Sequence, residues 1–291
     1  MHQIRSMKQS ELQQLVTWAE REGWEPGQHD ARCYWDLDPE GFLALEAEDG
    51  HFIGGGAIIR HSPSFGFMGL FIVDEGHRGN GLGRELWNAR RDTLLSRLTA
   101  DATIGLDGVY DMVPFYEKGG FEQYSHHRRF RLSKAKQDAA RHHAMVDLKQ
   151  VDLENVADYD AKCFPANRAR FLSNWIEQTS AISLGYMDRN QLKGFAIMRP
   201  CTTGWRIGPL FADSLEVADY LFQALQVESA SYLEQGEMPI FIDVPDYNPH
   251  GKLMCQKYDM VEVFGCVRMY YGSPPKLDEP CIYGVTTLEV G

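Results

Sequence analysis

The chain has 291 residues, 44% of them hydrophobic and 24% charged, and a formal net charge of −12. That length accommodates two cores of ordinary size, and the acidic balance excludes the clustered basic surface of a nucleic-acid binder. No stretch approaches the ~20 apolar residues of a membrane span, and the first ten residues carry no apolar signal-peptide core, so a cytoplasmic protein without membrane partners is expected.

Residues 10–22 place Leu12, Leu15, Val16 and Ala19 at helical spacing, with Ser10 as cap and Gly23 as stop. The following stretch, EGWEPGQHDARCYWDLDPEG, reads as a structured loop with short helical pieces. Phe42 to Ala47, a turn at Asp49-Gly50, and a return from Phe52 to Ile59 form a hairpin pattern. SFGFMGLFIVD reads as a third strand, and RELWNARRDTLLSRL as an amphipathic helix. A buried-type strand TIGLDGVY, a short helix VPFYEKGGF stopped at Gly119-Gly120, and a strand from Phe121 to Leu132 complete the first half.

Residues 133–145 are polar and rich in Ala and Lys, and read as a partly helical connector. Residues 146–291 then repeat the order of the first 132. SLGYMDRNQLKGFAIMRPCTTGWRIGPLFAD echoes the three-strand segment, and Asp243 falls at the place of Asp107. The second copy has no glycines between its third strand and its helix. The tail from Cys281 to Leu288 reads as a strand able to pair with either half.

Between strand and helix of the first half stands Arg78-Gly79-Asn80-Gly81-Leu82-Gly83-Arg84. One reading is a flexible turn, since glycine serves wherever φ is positive. A dinucleotide fingerprint needs G-x-G-x-x-G rather than G-x-G-x-G, and normally opens its domain. No Gly-Lys-Ser/Thr ends the run, which excludes a P-loop. The third reading is a pyrophosphate cradle: inward N–H groups and the positive end of a helix dipole hold the anion, with Arg78 and Arg84 at the rim.

Arg-Gly-x-Gly-x-Gly after a strand, then a helix, a strand and FYEKGGF, resembles the GNAT superfamily of N-acetyltransferases. The likeness covers roughly residues 3–132 by motif and the second half by layout, as in two-domain bacterial GNAT proteins with a degenerate second half. It implies an α+β fold, with tandem, mostly antiparallel mixed sheets flanked by helices. The cradle would bind the pyrophosphate of acetyl-CoA as cosubstrate. The strand before it would splay from its neighbour, so that Phe71, Ile72 and Val73 pair with the pantetheine arm. Tyr116 matches the tyrosine of the family's Y-x-x-x-G-F segment and would protonate the leaving thiolate, a phenol of pKa ~10 against a thiol of ~8.5.

Asp107 at its strand end is the candidate base, directly or through water, or else orients the loop before the Tyr116 helix. Glu75, Asp74 and Asp111 are weaker candidates. A backbone N–H near Phe71 to Val73 would be the oxyanion donor. Trp24, His29, Asp30, Tyr34 and Trp35 would wall a pocket for a small-molecule amine, since aromatics with carboxylates suit a cation; they would equally serve as an apolar floor. The expected activity is acetyl transfer to a primary amine of a small or amino-acid-like acceptor. The rival is a non-catalytic acyl-CoA-binding sensor. A monomer or homodimer is expected. Cys33, Cys163, Cys201, Cys255, Cys266 and Cys281 form no C-x-x-C pair, so no metal is expected and the thiols read as small core residues. The adjacent pairs His126-His127 and His142-His143 read as solvated surface.

Overall fold

The computed structural model describes residues 2–135, 142–230 and 238–291. Six of the thirteen residues of the expected connector, 136–141, lie outside the described residues. The first half runs β1 (Gln3–Ser6), α1 (Gln9–Arg21), α2 (Asp30–Leu37), β2 (Phe42–Glu46), β3 (Phe52–Ser62), β4 (Phe65–Val73), α3 (Leu82–Ser96), β5 (Thr103–Val109), α4 (Val113–Lys118) and β6 (Glu122–Leu132). The second half runs β7 (Met145–Asp147), α5 (Leu153–Cys163), α6 (Ala169–Ile176), β8 (Ile182–Asp188), β9 (Gln191–Pro200), β10 (Trp205–Ala212), α7 (Leu215–Ala230), β11 (Ile240–Pro245), α8 (Pro249–Lys257), β12 (Val261–Tyr271) and β13 (Ile282–Gly284). Helix α1 begins one residue before the expected Ser10 cap. Its first turn is closed by Glu11, whose carboxylate accepts the Lys8 N–H at 2.7 Å. Among the described residues, no helix is long and apolar enough to cross a membrane.

The strands form one mixed, mostly antiparallel sheet in the order β1-β2-β3-β4-β5-β12-β6-β11-β10-β9-β8-β7, with β13 beside β10. Among the described residues only β4·β5 and β10·β11 are parallel pairs. The two halves exchange their last long strands. β12, from the second half, pairs with β5 of the first, and β6, from the first half, pairs with β11 of the second. β6 and β12 pair with each other at the centre. The layout of each half is that of the repeat, but the packing units interleave across the sequence boundary.

Helices α3 and α4 cover one stretch of the sheet, over Leu86, Trp87, Leu94, Ile104 and Leu106. Helices α7 and α8 do the same in the second half, over Phe222, Leu225 and Met254. A third cluster joins the halves: Leu12, Leu15 and Tyr34 of α1 and α2 share a core with Tyr159, Phe171 and Trp175 of α5 and α6. A sheet closed on both faces forces polar residues of its central strands into the interior. His127, on β6, is therefore buried, which corrects the expectation of a solvated His126-His127 pair. All six cysteines are free and buried.

A belt of ion pairs occupies the exchanged centre. Arg268 on β12 stands opposite Asp107 on β5, and Arg129 on β6 stands opposite Asp243 on β11. Each guanidinium grips its carboxylate at both oxygens, at 2.8 and 2.7 Å for Asp107 and at 2.7 and 3.0 Å for Asp243. These equivalent pairs are the two-fold relation of the halves written in charge. They are buried pairs with good geometry, the condition under which such pairs are tolerated.

Candidate active site

Strand β4 pairs with β5 only from Phe65 to Met68. Beyond Met68 the strands part, and the β5-facing edge of β4 from Gly69 to Val73 has no strand partner. On the other side of β4 a bulge sets Leu70 and Phe71 against Gly56 alone, between the pairs Gly55↔Ile72 and Ala57↔Gly69. Leu70 takes φ +48°, rare for a branched side chain. Between the splayed strands lies a cavity of about 340 Å³ lined along one side by residues 68–73.

The glycine loop closes the outer end. Gly79 and Gly81 have φ +83° and +84°, a conformation that favours glycine, and Gly81 caps α3. The first helical bonds are donated by Arg84 and Glu85 to the Gly81 carbonyl. The N–H groups from Gly79 to Gly83 make no backbone hydrogen bond among the described residues. Space is open where Cβ atoms at Gly79 and Gly81 would lie. These features suit an anion at the helix N-terminus. Arg78 and Gly79 line the cavity with Gly83. Arg78 is held in place by its own bonds, Nε to the Val73 carbonyl at 2.7 Å and Nη2 to Glu22 at 2.5 Å. Asn80, Gly81 and Arg84 are exposed at the mouth, and Leu82 begins the helix.

Tyr116 and Asp107 both line the cavity. Tyr116 packs among Trp87, Phe115 and the backbone of Gly108, and burial pushes its phenol up to about 12. Its hydroxyl has no hydrogen-bond partner among the described residues. Its counterpart in the repeat is Cys255, fully buried on α8. Asp107 does not stand ready as a base. Burial raises it, but Arg268 and then His127 draw it down to about 2. A carboxylate so held has little affinity for a proton from an ammonium. Glu75 lies on an exposed turn and neither it, Asp74 nor Asp111 reaches the cavity wall.

His127 Nδ1 lies 3.3 Å from Asp107, and the Cys266 sulfur is near both. Three residue types that bind metals thus meet here, a cluster the sequence spacing did not show. Both Asp107 oxygens already accept from the Arg268 guanidinium, and a metal cation would have to sit against that positive charge.

The acceptor side differs most from expectation. Trp24 lines the cavity; the other four residues do not. His29 is exposed ahead of α2, and Trp35 stacks on Phe42 at 5.8 Å. Helix α2 turns Asp30 and Tyr34 toward the second half. There Asp30 pairs with Arg199 at 2.8 Å, and the Tyr34 hydroxyl meets Thr287 at 3.0 Å and Glu289 at 3.3 Å. In their place the second half supplies Phe264 and Cys266 from β12 and Leu288 and Glu289 from the tail. Of that tail only Ile282–Gly284 is a strand, and it pairs with β10. It occupies the gap where β10 parts from β11, the counterpart of the open cavity in the first half. The tail then crosses to β4, where the Glu289 carbonyl lies against Gly69.

Residues 9–121 match a family model described as the Acetyltransferase (GNAT) family, and residues 156–284 match an Acetyltransferase (GNAT) domain. The chain is 26% identical over 295 residues to the holothin acyltransferase of Pseudoalteromonas sp. (strain SANK 73390), covering 100% of this chain and 96% of that one. It is 26% identical over 226 residues to YitH, an uncharacterized N-acetyltransferase of Bacillus subtilis (strain 168), covering 72% and 74%. A putative acetyltransferase from Pyrococcus horikoshii superposes with a TM-score of 0.81 at 21% identity, over 100% of this chain and 96% of the other. A GCN5-related N-acetyltransferase from Sphaerobacter thermophilus does so at 0.65 with 13% identity, over 95% and 98%. The two structures share its fold.

Proposed function

The chain belongs to the GNAT acetyltransferase family, and we propose that its first half transfers an acetyl group from acetyl-CoA to the primary amine of a small molecule. The observation that carries this reading is one cavity that joins the glycine cradle, the free edge of β4 and the Tyr116 phenol. The cradle would receive the pyrophosphate, and β4 from Phe71 to Val73 the pantetheine arm. A β4 N–H beyond the bulge would receive the thioester oxygen as charge develops on it. The amine enters from the side of Trp24, Phe264 and Leu288 and must arrive neutral, since an ammonium has no lone pair. The paired carboxylates Asp107 and Glu289 lend that side polarity without acting as bases. The relative named as a holothin acyltransferase supports acyl transfer as the reaction.

The lack of a free base on the cavity wall favours the second reading, a sensor that binds acyl-CoA without turnover. Release of free thiol when amine pools are added to protein and acetyl-CoA separates the two: release supports the enzyme, and binding with no release on any pool supports the sensor.

The first test is thermal unfolding with acetyl-CoA, with NAD as control. A ligand at about 100 times its Kd adds about 2.7 kcal/mol to stability. A shift with acetyl-CoA alone is expected. No shift, or one with NAD only, overturns the cradle.

A further inference from the structure

Arg90 differs from the other buried arginines. Arg129, Arg168, Arg199, Arg206 and Arg268 each meet a buried carboxylate. Arg90, on the third turn of α3, is 0% exposed and meets none. Its Nη2 donates to the carbonyls of Ala57 and Gly69, both at 2.7 Å, the cross-strand pair at the start of the β4 bulge. Its Nε and Nη1 are buried without a partner. The guanidinium lies over the Phe71 ring at 4.9 Å and forms part of the cavity wall. It fits against β3 because residue 56 is glycine: a Cβ there would lie 2.5 Å from Nε.

Burial lowers Arg90 to about 10, so it stays charged near neutrality. An unpaired buried charge is costly to hold. The other charged groups of the cavity wall offer no counter-ion. Asp107 is bound to Arg268, Glu289 to Arg206 and Glu22 to Arg78. The Cys266 thiol is pushed well above its usual range by burial, and the Tyr116 phenol to about 12.

The anion that fits comes from the reaction assigned above, and the inference rests on that assignment. The amine nitrogen attacks the thioester carbonyl carbon, a C–N bond forms, and the C–S bond breaks. Its electron pair stays on sulfur, and the nitrogen's surplus proton goes to water. We propose that Arg90 is the counter-cation of the CoA thiolate so released, with Tyr116 donating a hydrogen bond to the same sulfur. A phenol held near 12 keeps its proton against a thiol of ~8.5, so hydrogen bonding rather than full transfer is its part.

The test is a pH titration of CoA bound to the intact protein, followed by thiolate absorbance in the ultraviolet. All six cysteines of the chain are buried with their thiols raised, so the signal belongs to CoA. Bound CoA is expected to titrate about one pH unit below free CoA, which is a tenfold preference for thiolate over thiol. Arg90→Gln should remove the shift, and Arg90→Lys should restore part of it. A second measurement needs no variant: CoA should tighten with rising pH relative to desulfo-CoA, whose affinity stays flat. A wild-type protein that binds no CoA overturns the assigned function. Binding with an unshifted thiol, or parallel pH profiles for CoA and desulfo-CoA, overturns the thiolate site alone and leaves Arg90 as a clamp on the bulge.

Discussion

Arg268→Met isolates the Asp107 carboxylate at the join between the halves. In the wild type, burial pushes Asp107 upward, and Arg268 and His127 outweigh it, so that the group falls from 3.8 to about 2. A folded-state pKa below the unfolded one contributes stability above pH 3.8, lost as pH falls toward 2. Here that contribution is about 2.5 kcal/mol at neutral pH. Without Arg268 the upward push of burial dominates, and the carboxyl titrates above its ordinary value. The variant then loses stability as pH rises, the opposite sign. Orphaning a buried carboxylate costs about 3–5 kcal/mol near pH 7. Near pH 3 the variant's carboxyl is protonated, and the gap to wild type should narrow to about 1–2 kcal/mol, mostly repacking. Urea unfolding followed by tryptophan fluorescence at several pH values measures this gap. A loss of the same size at pH 3 and pH 7 would refute the account, since it would show that charge does not carry the pair.

Gly81→Asp puts a side chain and a like charge into the cradle; acetyl-CoA should no longer raise the melting temperature while the unliganded melt changes little, and retained affinity would sink the cradle. Tyr116→Phe should lower turnover about 10²-fold, the lower range for losing one hydrogen-bond donor to developing charge, with acetyl-CoA binding kept; unchanged turnover would remove Tyr116 from the mechanism. Gly69→Ala drives a Cβ into the Glu289 carbonyl, so the tail must leave β4. Overpacking of that kind costs about 1–3 kcal/mol. Thiol release should fall with acetyl-CoA binding retained, and full activity would show that the tail is not part of the acceptor wall.

Much of the fold is local and was readable as such. Hydrophobic spacing marked α1 and α3, the Asp49-Gly50 turn marked the hairpin, and alternate glycines marked the loop before α3. The cap of α1 was misplaced because Glu11 closes that turn in place of a serine at its start. What the sequence did not disclose is non-local. Nothing in Glu122–Leu132 says that it crosses into the other half. Its alternating Ser125, His127 and Arg129 resemble a solvated face, and that Arg129 and Arg268 each face a carboxylate from the other copy appears only in the structure. The acceptor wall failed for the same reason: aromatics and a carboxylate near Asp30 suit a cation pocket and an ion-paired core equally. The choice depends on Arg199, 169 residues away. Arg90 gave no signal at all, because one arginine on an amphipathic helix looks like surface charge.

The exchange of β6 and β12 bears on how such a chain can change over generations. A duplicated catalytic half is normally free to decay once its partner does the work. Here the second copy has no glycine loop, carries Cys255 in place of a phenol, and fills its own gap with β13, yet it still lends β12 to the wall beside Asp107. The first copy lends β6 in return. Neither copy can be deleted, shuffled into another gene or replaced by an unrelated domain without opening the other's sheet. The second half is tied to the first by the strand it lends, and substitutions in that strand and in the tail act on both halves at once.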